Sequence, residues 1–270
     1  MLLCKNKGLN TFQIKMLAVL FMLLDHIYLY FFSPSVGISL ILRCIGRMAF
    51  PLFLFCMIWG YHYTRNRKIY LLRLYLGSLF MTAFMYVIGH YLPTDGFGYG
   101  YHNIFLNMFW VGLLISTIET FQKDRKKGGI MLGTIFAAQI LFPYAERILR
   151  VIFPFLPGLS GDTIAGIIPN IYLNEYGFEY IALGVLMYFL KEKKDLFCVI
   201  YAIFCIAQFS FEVIRGELGI PTQWLMIAAL PLMMCYNNEK GYGMKYFFYI
   251  FYPAHTFLLF YIANFVLGKA

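Results

Sequence analysis

Charge is what this sequence has least of. Asp, Glu, Lys and Arg together make up 13% of its 270 residues, roughly half of what a soluble domain carries. So little charge cannot cover a water-facing surface of ordinary size, which argues against a soluble enzyme. Cysteine is scarce too. The six cysteines, at 4, 44, 56, 198, 205 and 235, form no CxxC pair and lie mostly within apolar runs. That spacing argues against a zinc site or a disulfide framework and predicts buried free thiols. The chain also lacks a P-loop, a GxSxG elbow, an HExxH helix and a dinucleotide fingerprint. Phosphate-loop, serine-hydrolase, metalloprotease and redox-cofactor chemistry therefore have no motif to stand on. Neither an internal repeat nor a low-complexity tract is present.

What is present is apolar: 61% of residues are hydrophobic and 20% are aromatic. A membrane-spanning helix needs about 20 mostly apolar residues. Such stretches follow one another at 13–32, 37–62, 69–92, 102–120, 129–145, 178–190, 196–213, 221–236 and 245–266. Glycine, proline and charge clusters separate them. The expected fold is an all-α, polytopic integral membrane helical bundle of about nine to eleven transmembrane helices, forming one domain over residues 1–270. The first apolar run is too long for a signal peptide and reads as a retained span. Residues 146–177, with Pro154, Pro157, Pro169, Asp162 and Glu175, read as an outer-face or re-entrant segment.

The basic residues orient the chain. With the N-terminus in the cytoplasm, inside loops hold fourteen lysines and arginines and outside segments hold four, Arg147, Arg150, Arg215 and Lys269. That asymmetry predicts a multi-pass protein of a cell inner or plasma membrane with a cytoplasmic N-terminus, surrounded by membrane lipids. The net charge of +9 follows from the same bias and needs no nucleic acid.

Against this background LLDHIYLY at 23–30 is out of place. Asp25 and His26 lie about seven residues below the outer end of the first span, about 10 Å deep at 1.5 Å per residue. An ionisable group there costs several kcal/mol unless paired or facing water, and marks function by default. The next span reads ILRCIGRMAFPLF. Folding the chain about SPSV puts Arg43 level with Asp25 and His26, with Arg47 one turn deeper on the same face. Histidine exchanges a proton near neutral pH, and a carboxylate beside it can orient it. His26 is therefore the candidate base, with Asp25 and an arginine around it. Which arginine Asp25 takes is open, as is a purely structural ion pair.

Farther along, Arg65, Arg67, Lys68 and Arg73 cluster where the second span ends. They read as ordinary positive-inside charge or as a phosphate clamp. His255, in FYPAH, falls near the middle of the last span as a second proton carrier, a substrate contact or a packing residue. In HNIFLN, Asn103 shares a face with Asn107 and either ties neighbouring helices together or meets a substrate. Glu212, Arg215 and Glu217 suggest a local ion pair, and Glu119 an easily solvated inner helix end.

Three stretches carry a family resemblance: KMLAVLFMLLDH at 15–26, LRCIGRMAFPLFLF at 42–55 and YHYTRNRKIYLLRL at 61–74 resemble the TraX family. FYPAHTFLL at 251–259 looks like that family's C-terminal signature. The founding member acetylates the N-terminal residue of conjugative pilin, and the family is similar in design to membrane acyltransferases that use a cytoplasmic acyl-CoA and an intramembrane histidine. The resemblance implies an acetyltransferase with acetyl-CoA as co-substrate and no metal. It makes His26 the acyl-transfer base, sets Arg43 and Arg47 near the donor or the developing oxyanion, and puts the basic cluster on the nucleotide phosphates. The acceptor, a peptide, glycan or lipid, is not implied. The rival expectation is a proton-coupled transporter with Asp25, His26 and His255 as its relay.

Overall fold

The computed structural model of the protein describes residues 8–32, 37–94, 98–154, 159–215 and 220–268. Among these the chain is helical, and its one extended pairing is an isolated parallel bridge between Leu9 and Tyr236. In order, the helices are α1 (Thr11–Phe31), α2 (Ile38–Gly46), α3 (Ala49–Tyr63), α4 (Arg67–Tyr91), α5 (Ile104–Lys123), α6 (Arg125–Ile152), α7 (Gly161–Ile167), α8 (Phe178–Leu190) and α9 (Lys194–Ile214). A 3-10 helix (Gln223–Ala229) then runs into α10 (Leu230–Met234), and α11 (Lys245–Tyr261) ends in a π-helical turn (Ile262–Val266). Among the described residues seven segments are long and apolar enough to cross a membrane: α1, α2 with α3, α4, α5, α6, α9, and α11 with its π turn. Two shorter apolar segments, α8 and the 3-10 helix with α10, bring the total to the nine expected stretches. The protein is an all-α polytopic membrane bundle.

Local chemistry sets the helix starts. Asn10 and Gln13 form a reciprocal capping box on α1, each side chain accepting the other's backbone N–H at 2.9 Å. Asn66, Asn103 and Asp124 cap α4, α5 and α6 in the same way with a side-chain oxygen. The stretch at 37–62 departs from one continuous helix. It breaks at Arg47–Met48, because Pro51 has no N–H to reach back to the Arg47 carbonyl and its ring crowds that oxygen.

By contacts the chain divides into two compact units, where the sequence suggested one domain. One holds Met1–Gly60 with Met187–Ala270, the other Tyr61–Leu186. In the first, α1 packs on α2 and α11, and α9 packs on the 3-10 helix. The α1–α2 contact is tight at Gly46, where any side chain would overlap that of Asp25. Four cysteines are free thiols, but Cys235 is disulfide-bonded, contrary to the expected set of free thiols; Cys4 lies outside the described residues. Cys235 caps the end of α10, where the chain near the N-terminus pairs back through Leu9 N–H to the Cys235 carbonyl at 2.7 Å. Cysteine spacing cannot reveal such a long-range approach.

In the second unit α4, α5 and α6 pack in sequence, and α7 lies against α4. Gly166 of α7 meets Thr82 so closely that a Cβ there would strike the hydroxyl. Tyr75 donates to the Ile167 carbonyl at 2.6 Å and Trp110 to the Asn170 carbonyl at 3.1 Å. Ile164 and Ala165 are fully buried. α7 spans about 10 Å, too short to cross, and it packs within its unit against α4, while α6 runs on to Ile152.

Candidate active site

The first unit brings together ionisable groups of α1, α2 and α11. His26 is 8% exposed on α1 and His255 is 5% exposed on α11. Each ring turns back on its own helix: His26 Nδ1 lies 3.0 Å from the Met22 carbonyl and His255 Nδ1 lies 2.6 Å from the Phe251 carbonyl. The rings then meet, with His255 Nε2 at 3.1 Å from His26 Nδ1. Their centroids are 4.9 Å apart at 69°, edge to face. Phe251 stacks on His255 at 4.5 Å and 12°, holding the ring in place.

One residue earlier, Asp25 forms an ion pair with Arg47, not with Arg43. Gly46 is the reason: it lets α2 close onto α1 at Asp25, which brings the following residue to the carboxylate. Arg47 also donates through Nη1 to Gln223 Oε1 at 2.9 Å. Arg43 instead donates through Nε to Thr222 Oγ1 at 3.1 Å, and its guanidinium lies 5.3 Å from the centroid of the Tyr28 ring. Among the described residues Arg43 meets no carboxylate. It is a cation held by a hydroxyl and an aromatic face, an arrangement suited to an anion or a developing oxyanion.

Thr222 and Gln223 are site residues that sequence reasoning missed. They are neutral and stand at the start of an apolar segment, so a search for charge passes over them. Glu212 supports this turn by accepting the Gln223 backbone N–H at 2.9 Å. Of the local ion pair expected around it, Glu217 lies outside the described residues.

The remaining candidates belong to the second unit. Arg67 pairs with Glu119 and stacks 5.0 Å from the Tyr61 ring, so Glu119 is a partner rather than a solvated end. Arg65, Lys68 and Arg73 are exposed. Asn103 ties segments of its unit together. It is fully buried, and its amide donates to the Ser78 carbonyl and hydroxyl and to Thr82 while its oxygen caps Leu106 N–H. Its backbone N–H donates to Glu175 at 2.8 Å. Nearby, outside the helices, burial pushes the Tyr101 phenol up, and the Glu175 and Asp162 carboxylates add to this. Among the described residues no three His, Cys, Asp or Glu side chains gather as metal ligands would.

The chain is 25% identical over 260 residues to a protein of Dichelobacter nodosus named probable fimbrial assembly protein FimC, serogroup H1, covering 94% of this chain and 96% of that one. No solved structure matches. TraX protein is the family that fits residues 11–152 and 163–263, a match that takes in α1 to α6 and α8 to α11 with both histidines and both arginines, and the chain belongs to the TraX family.

Proposed function

We propose that this protein is a membrane acetyltransferase that moves an acetyl group from acetyl-CoA to an amine or hydroxyl, with His26 as general base. The observation that carries the reading is the buried His26–His255 pair, in a unit where, among the described residues, Arg43 meets no carboxylate. The acceptor N–H or O–H gives its proton to His26 while its lone pair attacks the acetyl carbon. The tetrahedral oxyanion forms beside guanidinium donors, which are strongest where water is excluded. Its collapse breaks the carbon–sulfur bond, and the protonated His26 returns the proton to the leaving thiolate. Arg43 is the cation for the oxyanion, and Arg47, anchored by Asp25, holds the α1–α2 pair in register. Arg65, Lys68 and Arg73 supply an exposed basic surface suited to the phosphates of the donor.

The fimbrial-assembly name of the relative favours a peptide acceptor over a glycan or lipid. The test compares peptides, glycans and lipids from cells with and without the protein. Loss of one acetyl group from a single class is expected; identical acetylation in all three classes contradicts the reading. The rival function, a proton-coupled transporter, would need the two histidines to pass protons onward, and for it liposomes would show solute flux without acetyl-CoA consumption.

A further inference from the structure

The contacts of the two histidines determine where their protons sit. A neutral imidazole carries one N–H and one lone pair, and a carbonyl oxygen only accepts. His255 Nδ1, at 2.6 Å from the Phe251 carbonyl, must therefore be the protonated nitrogen. Its lone pair is then on Nε2. His26 Nδ1 faces the Met22 carbonyl at 3.0 Å and is protonated for the same reason. That N–H also points at the lone pair of His255 Nε2, 3.1 Å away. One assignment satisfies all three contacts. With the proton on His255 Nε2 instead, either His255 becomes a cation or its Nδ1 lone pair faces a carbonyl oxygen. The lone pair of His26 consequently lies on Nε2.

We propose that His255 is a positioning residue that fixes His26 as its Nδ1–H tautomer, so that Nε2 of His26 is the nitrogen that takes the acceptor's proton. The inference rests on the acyl-transfer reading above for its chemistry and deepens it. A working histidine is commonly oriented by a carboxylate at its second nitrogen. Here the neighbouring carboxylate, Asp25, is bound to Arg47, and a neutral imidazole from the far end of the chain takes that place. It adds no negative charge at membrane depth, where charge is most costly. The Met22 carbonyl already serves the helical ladder of α1, which leaves His255 as the dedicated acceptor. When Nε2 gains a proton, the Nδ1–H bond to His255 becomes charge-assisted and strengthens.

The same geometry makes the pair a dead end for protons. A relay must accept at one nitrogen and release from the other. His255 could release only from Nδ1, and that N–H points at the Phe251 backbone carbonyl, which cannot carry a proton onward. The pair holds a proton and gives it back where it came from, as acyl transfer needs and a transport relay does not.

The test uses the full chain, labelled with ¹⁵N-histidine, in lipid nanodiscs. NMR should show His26 protonated at Nδ1 and unprotonated at Nε2, with a nitrogen–nitrogen coupling across the bond to His255; His26→Ala and His255→Leu assign the signals. In the acetyl-transfer assay His255→Leu should lower kcat about 10- to 100-fold, part of the 10²–10⁴ that a positioned base contributes, without changing KM for acetyl-CoA. His255→Gln, whose side-chain oxygen can accept in place of Nε2, should recover most of that loss. A proton on Nε2 of His26, absence of the coupling, or a glutamine variant as slow as the leucine one overturns the inference. If tautomer and coupling are found but no acceptor is acetylated, the tautomer assignment stands and the acetyltransferase reading falls.

Discussion

Both units of this protein bury polar side chains, and they do so in opposite ways. In the second unit the side chains that bond the Asn103 amide are neutral and tie one helix to the next. Asn103 bonds Ser78, Thr82 and the cap of its own helix, Asn107 bonds Asn174, and Trp110 bonds the chain after α7. Such a network ties helices together and has little left to offer a ligand. In the first unit the groups at the site are ionisable. One carboxylate faces one of two guanidiniums, while two imidazoles share a hydrogen bond. The difference teaches that depth alone does not mark function in a membrane protein. A polar group that titrates and is incompletely compensated does.

Substitutions in the two regions should therefore separate activity from stability. The largest effect is expected at Arg43. Arg43→Met removes the uncompensated cation and should lower acetyl transfer about 10²- to 10³-fold, the loss seen when an oxyanion donor is removed, with the melting temperature little changed. A melting loss matching the activity loss would move Arg43 to the structural side. Next comes Gly46→Ala, whose new Cβ meets the Asp25 side chain. Overpacking there should cost about 1–3 kcal/mol and weaken the Asp25–Arg47 pair, so thermal unfolding and activity should suffer together. Asn103→Ala should cost stability alone, about 1–3 kcal/mol for the partners left unsatisfied, with the rate per folded molecule unchanged; a rate loss without destabilisation would make Asn103 a substrate contact. The smallest effect is expected from replacing Arg65, Lys68 and Arg73 together by alanine. Acetyl-CoA binding measured by titration should weaken several-fold at low salt and converge on the unmodified protein at high salt. Equal affinity at low salt would remove these residues from the donor site.

Much of this was legible in the sequence because the membrane makes charge conspicuous. Asp25, His26, Arg43 and Arg47 stand out of apolar runs, and the nine helical segments follow from the lengths of those runs. What was not legible depends on packing between distant segments. The facing of Asp25 and Arg47 follows from the approach at Gly46 and the break before Pro51, neither of which a simple folding about SPSV includes. His255 lies 229 residues from His26, and no local pattern reports that α11 turns that ring onto α1. Thr222 and Gln223 carry no charge and gave no signal. The same limit hid the bonding of Cys235 and the pairing of Arg67 with Glu119.

The central claim is that His26 is the base of an acetyl transfer. The most direct measurement incubates the purified protein in nanodiscs with labelled acetyl-CoA and a membrane extract of acceptors, beside His26→Ala with its helical content and melting verified. Label should pass to an acceptor with the unmodified protein and fall by at least about a hundredfold with the variant. Equal labelling by a correctly folded His26→Ala protein would contradict the account.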